Sequence, residues 1–290
     1  MSTRQASEQI QAVASTDGDG VKLLRVFGGQ DPERFDPFLM MDEFGSEEAN
    51  DYIGGFPSHP HRGFSTITYM LQGKMEHRDH MDNVGLLQDG DVQWMTAGSG
   101  VIHSEMPKQT EGKMRGFQVW LNLPASKKMQ AANYEDVPAN KIPLYNFEQG
   151  QIKAIAGKTE IQGEQVRGYF DIADTQALYL DIALKPKGKF SIPVAAGHTA
   201  LAYVYEGEAI LGEANTPTRS QYLSRLTGSG DIQIRNLQET TAKVIVLAGQ
   251  PLKEPIVQHG PFVMNSVEQI ETAIQDYRDG TLTNAEHIQG

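Results

Sequence analysis

Short apolar stretches, separated by glycine and aspartate, run along most of the chain. Stretches of this length, rich in β-branched and aromatic residues and bounded by turn residues at intervals of about 8–12 positions, are typical of antiparallel sandwiches and barrels. The pattern therefore predicts an all-β fold. The predicted strands are 21–27, 64–71, 92–95, 117–123, 179–184, 201–205, 232–234 and 244–247.

One segment near the C-terminus has the period of a helix instead. Apolar residues at three- and four-residue spacing form the stripe of an amphipathic helix over 266–279, and Ser266 is placed to cap it. A shorter helix is expected within 126–134. The prolines in 133–143 make that segment the best candidate for a linker.

The order of strands and turns occurs twice along the chain. Each copy has a strand, a glycine turn, another strand, and then a Gly-Asp turn into a third strand. We therefore predict two homologous β-domains, 1–137 and 138–290, with the helix at the end of the second. The matching segments are YMLQG (69–73) with YVYEG (203–207), and GDVQ (90–93) with GDIQ (230–233).

Composition and charge narrow the class of protein. The chain has 290 residues and no cysteine, which excludes disulfides, iron–sulfur clusters and thiolate nucleophiles. A net charge of −12 argues against direct binding to nucleic acid, because the phosphate backbone attracts clustered Lys and Arg. No apolar run is long enough to span a membrane, and the N-terminus lacks the apolar segment of a secretory signal. We expect a cytoplasmic protein that binds neither membranes nor nucleic acid directly.

Four metal-binding side chains stand in two pairs, each with one residue between its members. His59 and His61 form the first pair. His103 and Glu105 form the second pair, and His103 lies 42 residues after His61. Residues i and i+2 of a strand point to the same face, and their Cα atoms are about 6.5–7 Å apart. Two neighbouring strands can therefore bring both pairs to one point. Three imidazoles and one carboxylate suit Fe, Mn, Ni, Cu or Zn. The alternative is that all four are hydrogen-bonded structural residues.

The repeat predicts that only the first domain has this site. Offsets of 134 and 140 place Pro193, Ala195, Lys243 and Ile245 at the matching positions of the second domain. None of these replaces His or Glu as a ligand in such a site. His198 lies three residues from one of them, so a shift in alignment restores one ligand at most.

Other residues near the pairs have less specific interpretations. His77 and His80 belong to a polar segment, MEHRDH, which we expect to be a solvated strand end or loop. Apolar and aromatic residues around the pairs are expected to form barrel core, with some lining a cavity beside the ion. The residues predicted to line that cavity are Phe56, Met106, Phe117 and Gln118.

The stretch 54–64, GGFPSHPHRGF, resembles the signature of the pirin family, within the cupin superfamily. The resemblance continues through 90–106 (GDVQWMTAGSGVIHSEM), 118–124 (QVWLNLP) and 260–265 (GPFVMN), and so runs nearly end to end. It implies two tandem antiparallel cupin (jelly-roll) β-barrels. It also implies one metal in the N-terminal barrel, held by the two residue pairs, and a metal-free C-terminal barrel. Iron is the leading ion, with Mn, Ni, Cu and Zn as alternatives.

The resemblance also implies a function. Several pirins resemble quercetin 2,3-dioxygenases, which open a flavonol with O2 and release carbon monoxide. The substrate here would be a small flavonol-like aromatic or a related enol, and Glu105 would act as ligand and as base. The alternative is a non-enzymatic regulatory module, in which the redox state of the metal changes the surface presented to a protein partner. A third reading is a purely structural zinc ion.

One position departs from the family pattern. Ser65 stands where pirins commonly have glutamate, four residues after His61. In pirins the ligand carboxylate comes from the second pair, so this change is not expected to empty the site. We expect it to affect at most the hydrogen bonds that orient the ligands.

Overall fold

The computed structural model describes three segments of the chain, residues 2–29, 31–213 and 216–284. Contacts divide the chain into two compact units. We call Ala14–Ala139 with Leu252–Gly290 barrel N, and Met1–Val13 with Asn140–Pro251 barrel C. In the described part of the chain, no helix is both long and apolar enough to cross a membrane.

Most of the described residues form strands, as the apolar pattern predicts. Seven of the eight predicted segments lie within a strand, and 117–123 extends one residue beyond its strand. In chain order the elements are β1 (Gln5–Gln11), β2 (Val13–Asp17), β3 (Val21–Phe27), β4 (Phe38–Ser46), β5 (Phe56–His61), β6 (Phe64–Gln72), β7 (Met75–Asp79), β8 (Val84–Leu87), β9 (Val92–Thr96), β10 (Val101–Pro107), β11 (Met114–Asn122), β12 (Asn133–Val137), β13 (Leu144–Phe147), β14 (Gly150–Ala156), β15 (Lys158–Ile161), β16 (Glu164–Arg167), β17 (Leu178–Leu184), β18 (Lys189–Ile192), β19 (Thr199–Glu206), β20 (Glu208–Leu211), β21 (Thr218–Arg219), β22 (Tyr222–Thr227), β23 (Ile232–Arg235), β24 (Ala242–Gly249), β25 (Val257–His259), β26 (Phe262–Met264) and α1 (Val267–Arg278).

Barrel N has a seven-stranded sheet in the order β12-β9-β6-β11-β4-β3-β2 and a four-stranded sheet in the order β5-β10-β7-β8. The ladders are antiparallel. β25 and β26 form a separate two-stranded ribbon. The four-stranded sheet carries both predicted ligand pairs, because β5 and β10 are neighbours in it.

Barrel C has the same two-sheet arrangement. Its larger sheet runs β1-β22-β19-β24-β17-β14-β13 and its smaller sheet runs β18-β23-β20-β21, with β15 and β16 as a hairpin. Its core is aliphatic and nearly inaccessible to solvent, as at Ile152, Leu180 and Val204. The two barrels are the pair of antiparallel β-domains predicted from the repeat.

The predicted C-terminal helix is confirmed as α1. The Ser266 hydroxyl accepts a hydrogen bond from the Gln269 amide at 3.3 Å, and the Gln269 side chain accepts one from the Asn265 amide at 2.9 Å. The Ser266 cap begins the helix where the sequence indicates, and Gln269 bonds the amide of the residue before the cap. The apolar side of α1 packs in barrel N, where Ile270 and Ala273 are buried.

The shorter helix predicted within 126–134 is wrong. The linker predicted over 133–143 contains the boundary between the compact units, after Ala139, but its first five residues form a strand. A single 3-10 turn, Ala125–Lys127, is followed by strand β12, which pairs with β9. Alternating exposed and half-buried side chains suit an edge strand, and no apolar stripe supports a helix there. A second 3-10 turn, Ala139–Lys141, follows.

The domain boundary drawn from the repeat, 1–137 followed by 138–290, stays a prediction. The compact units differ from it at the chain ends, since β1 pairs with β22 within barrel C and α1 packs within barrel N. Residues 285–290 of the predicted second domain lie outside the described segments.

Candidate metal centre

Two neighbouring antiparallel strands bring three imidazoles together. His103 on β10 lies directly opposite His59 on β5, and Val101 lies opposite His61. Since alternate residues share a face, His59, His61 and His103 project from the same side of the sheet. Their ligand atoms all lie within 4.8 Å of one another. We call these three residues the histidine trio.

Two rings of the trio have one nitrogen next to another polar group. His59 Nδ1 lies 2.8 Å from the Pro57 carbonyl oxygen. His103 Nδ1 lies 2.8 Å from Nε2 of His77. His61 Nδ1 and His103 Nε2 are buried and have no hydrogen-bond partner among the described residues. A buried imidazole nitrogen that is unpaired and neutral is what a metal ligand requires, so the donor set fits one divalent ion.

Burial keeps these imidazoles in the form that binds metal. It lowers the pKa of His61 and of His103 well below the ordinary value for histidine. Neighbouring imidazoles lower both values further, because adjacent positive charges repel each other. Both rings are therefore neutral at pH 7, with a lone pair available.

Glu105 lies two residues beyond His103 and is fully enclosed. Thr68 Oγ1 lies 3.0 Å from one carboxylate oxygen of Glu105, and the Gln118 amide nitrogen lies 3.4 Å from the other. Burial raises the pKa of the Glu105 carboxyl, which favours its neutral form and makes its carboxylate a stronger base. Glu105 is not part of the histidine trio, and its role as a fourth ligand stays a prediction.

The prediction that His77 lies at a solvated strand end or loop is wrong. The side chain is completely buried, and its ring centroid is 4.9 Å from that of His103. Burial lowers the pKa of His77 to about 4. The polar composition of the segment hid a period-two pattern in β7, where Met75 and His77 point inward and Arg78 points outward. His80 is exposed, as expected.

A cavity of about 530 Å³ opens beside the trio and is lined by His59, His61 and Glu105. Of the four residues predicted to line it, Phe56 and Gln118 do so. Phe117 is fully buried next to Gln118 on β11, and neither it nor the half-buried Met106 is among the described residues that line the cavity. Trp120, one of the aromatic residues around the pairs, also lines the cavity. Further lining residues that the sequence did not indicate are Arg25, Met40, Asp42, Met75 and Gln258.

Arg25 and Asp42 give the cavity wall a charged pair. Two guanidinium nitrogens of Arg25 lie 3.0 and 2.8 Å from the two carboxylate oxygens of Asp42. Burial raises the pKa of Asp42, although the bonds from Arg25 oppose that shift. The two residues are 17 positions apart and meet through the register of β3 with β4, so no local motif marks them.

Ser65 lies on the side of β6 that faces away from the carboxylate. Positions 65 and 68 are an odd number apart in a regular part of this strand, so their side chains point to opposite faces. Thr68 contacts Glu105, whereas the Ser65 hydroxyl lies 3.1 Å from that of Thr96. The departure from the family pattern therefore contacts neither the trio nor Glu105.

The positions of barrel C that match the ligand pairs have other surroundings. Pro193 and Ala195 line a cavity of about 460 Å³ together with His198. Lys243 forms an ion pair with Glu206 at 3.0 Å, and Ile245 is buried.

Comparisons with known proteins agree on one family. The family model described as Pirin matches residues 20–121, and the Pirin C-terminal cupin domain matches residues 179–283. A Pseudomonas aeruginosa protein named "Putative quercetin 2,3-dioxygenase" is 50% identical over 92% of this chain and 94% of its own length. Human pirin is 36% identical over 96% of this chain and 93% of its own length. A solved structure of quercetin 2,3-dioxygenase from Acinetobacter baumannii superposes with a TM-score of 0.87, at 30% identity, covering 97% of this chain and 99% of that one.

Proposed function

Because this chain belongs to the pirin family, we propose that it is a metal-dependent dioxygenase of the quercetin 2,3-dioxygenase type. The substrate class is a flavonol or a related aromatic enol, and the co-substrate is O2. The observation that carries the proposal is the histidine trio, two members of which, His59 and His61, line a largely apolar cavity. The cavity volume of about 530 Å³ falls in the range of small-molecule sites, about 300–1,000 Å³.

His59, His61 and His103 would hold the metal, with Glu105 as the proposed fourth ligand and iron as the leading ion. Such an ion supplies a Lewis acid for the substrate oxygens and a route for electrons toward O2. Manganese, nickel, copper and zinc stay alternatives, since the affinity of an imidazole site rises from Mn to Cu whatever its biological metal.

The chain itself would bind and orient the substrate. Phe56 and Trp120 offer ring faces and edges to an aromatic ligand, and Met40 adds a polarizable apolar surface. Around a bound substrate these side chains would exclude water, which strengthens electrostatic interactions there.

Glu105 would take the proton of the enol hydroxyl. Thr68 and Gln118 hold its two oxygens. The Thr68 hydroxyl also lies 2.7 Å from the Gln118 side-chain oxygen. A hydroxyl has one hydrogen, so Thr68 donates to only one of these two acceptors. When Glu105 takes up a proton it becomes a weaker acceptor, so the Thr68 hydroxyl then donates to the Gln118 oxygen instead.

The test is aerobic incubation of quercetin with protein loaded separately with Fe, Mn, Ni or Cu, following the loss of flavonol absorbance and the release of carbon monoxide. We expect turnover with at least one metal. His59→Ala removes a trio ligand and should abolish turnover, whereas His80→Ala, at an exposed position of the same barrel, should not. If no metal gives turnover and a specific protein partner is captured, the regulatory alternative replaces the enzyme.

A further inference from the structure

We propose that His77 is a positioning residue for the metal centre, and that its tautomer decides whether His103 can bind metal. The inference rests on the proposed function, because it requires a metal at the histidine trio. It depends on the bond between His77 Nε2 and His103 Nδ1, which are 2.8 Å apart. Both side chains are at most 1% exposed, so water does not compete for this bond.

Only one of the two nitrogens in this bond carries the hydrogen. If His103 Nδ1 donates, then its Nε2 has a free lone pair and can bind the ion. If His77 Nε2 donates instead, the neutral His103 ring carries its hydrogen on Nε2 and has no lone pair for a metal there. Because His103 Nε2 is the buried, unpaired nitrogen, the first arrangement is the one that makes His103 a ligand.

His103 differs in this respect from His59. The His59 ring is hydrogen-bonded to the backbone carbonyl oxygen of Pro57. A carbonyl oxygen only accepts, so such a partner determines the ring tautomer by itself. An imidazole can donate or accept, so His77 determines the tautomer of His103 only while its own hydrogen is on Nδ1.

The surroundings of His77 are compatible with that requirement. His77 Nδ1 is buried and has no hydrogen-bond partner among the described residues. The Tyr134 ring lies beside it, with centroids 5.2 Å apart and planes at 54°. An aromatic face is a weak acceptor for N–H, and it offers nothing that a bare ring nitrogen could accept. The tautomer with hydrogen on Nδ1 is therefore the one we assign.

Three variants separate this role from simple packing. His77→Gln keeps a side-chain oxygen that can accept from His103 Nδ1, whereas His77→Leu fills the space without an acceptor. His80→Gln changes an exposed histidine three residues away and serves as the control. The probe is Co(II), whose affinity is measured by competition with a chelator and whose ligand geometry is read from its visible absorption bands.

We expect His77→Leu to weaken Co(II) binding by about 10–100-fold and to change the absorption bands, as for other partners of metal-bound imidazoles. His77→Gln should recover most of the affinity, and His80→Gln should match the wild type. Unchanged affinity and bands in His77→Leu would overturn the role of His77 alone. Failure of the wild type to bind Co(II), Fe(II), Ni(II) or Zn(II) would remove the metal centre itself, and the proposed function with it.

A second measurement needs no variant. In the Zn(II)-loaded protein, long-range ¹H–¹⁵N correlation spectra of labelled histidines report which ring nitrogen carries hydrogen. We expect His77 and His103 both to be protonated on Nδ1. A hydrogen on Nε2 of His77 would overturn the inference even if His77→Leu failed to fold.

Discussion

At the level of single residues, the hydrogen-bond partner of one ring nitrogen determines whether the other nitrogen of that histidine is free to bind a metal. His59 Nδ1 faces the Pro57 carbonyl, while His103 Nδ1 faces His77. The rings of His103 and His77 are neutral because burial disfavours their charged forms. Acid should therefore destabilise the metal-free chain through the residues that make up its site.

The pKa of His77 determines the direction and the magnitude of the change in the free energy of unfolding with pH. In the unfolded chain His77 takes up its proton near pH 6.5, but in the folded chain only near pH 4. The unfolded state thus binds more protons between these values, so the free energy of unfolding decreases as the pH falls through this window. His77 alone should lower it by about 2 kcal/mol between pH 7 and pH 5.

Urea denaturation of the metal-free protein at pH 7, 6 and 5 measures this loss. His77→Gln should lose less stability over that range than the wild type, because glutamine does not titrate. His80→Gln should follow the wild type. An equal loss in His77→Gln and wild type would show that His77 is not held neutral in the fold.

At the level of secondary structure, α1 is held to the segment that follows the first ligand pair. The Arg62 guanidinium, 2% exposed, lies 2.7 Å from the Asp276 carboxylate on α1. It also donates to the backbone carbonyl oxygens of Ser99 and Leu282. Arg62 thus connects the strand end after His61 with the C-terminal helix.

We predict that Asp276→Asn lowers the stability of the protein by about 3 kcal/mol, because it leaves a buried guanidinium without its counter-charge. The measurement is the urea unfolding midpoint, together with hydrogen exchange in α1, which should become faster. Glu271→Gln removes an exposed carboxylate from the same helix and should change stability by less than about 0.5 kcal/mol. Equal effects of the two substitutions would contradict the importance of the pair.

At the level of the whole molecule, the two barrels differ in what their matching positions offer. Barrel N has the histidine trio, whereas barrel C has Pro193 and Ala195 beside its cavity. Metal binding should therefore stabilise barrel N more than barrel C. Both tryptophans of the chain, Trp94 and Trp120, lie in barrel N, so tryptophan fluorescence reports on that unit.

We predict that Co(II) at about 1,000 times its dissociation constant adds about 4 kcal/mol to the stability seen by tryptophan fluorescence. Native-state hydrogen exchange should slow most in β5 and β10, and least in β17 and β24 of barrel C. The His59→Ala variant should show neither change. Equal protection in both barrels of the wild type would mean that the metal binds elsewhere or that the barrels unfold only together.

The sequence by itself determined the features that depend on local periodicity. These features are the strand segments, the apolar stripe of α1 with its Ser266 cap, and the pairs around His59 and His103. Their spacing of two, or of three to four, residues is visible without a fold. The family motifs added the cupin architecture and the choice of ions.

Only the tertiary structure decided which distant side chains meet. The register of β7 with β10 places His77 against His103, and the register of β3 with β4 joins Arg25 to Asp42. Edge pairing with β9 made a strand of Asn133–Val137, where the sequence suggested a helix and a linker. In each case the contact joins residues that are far apart in sequence. Such contacts depend on strand register, which is set by the packing of whole sheets and cannot be predicted from a local pattern.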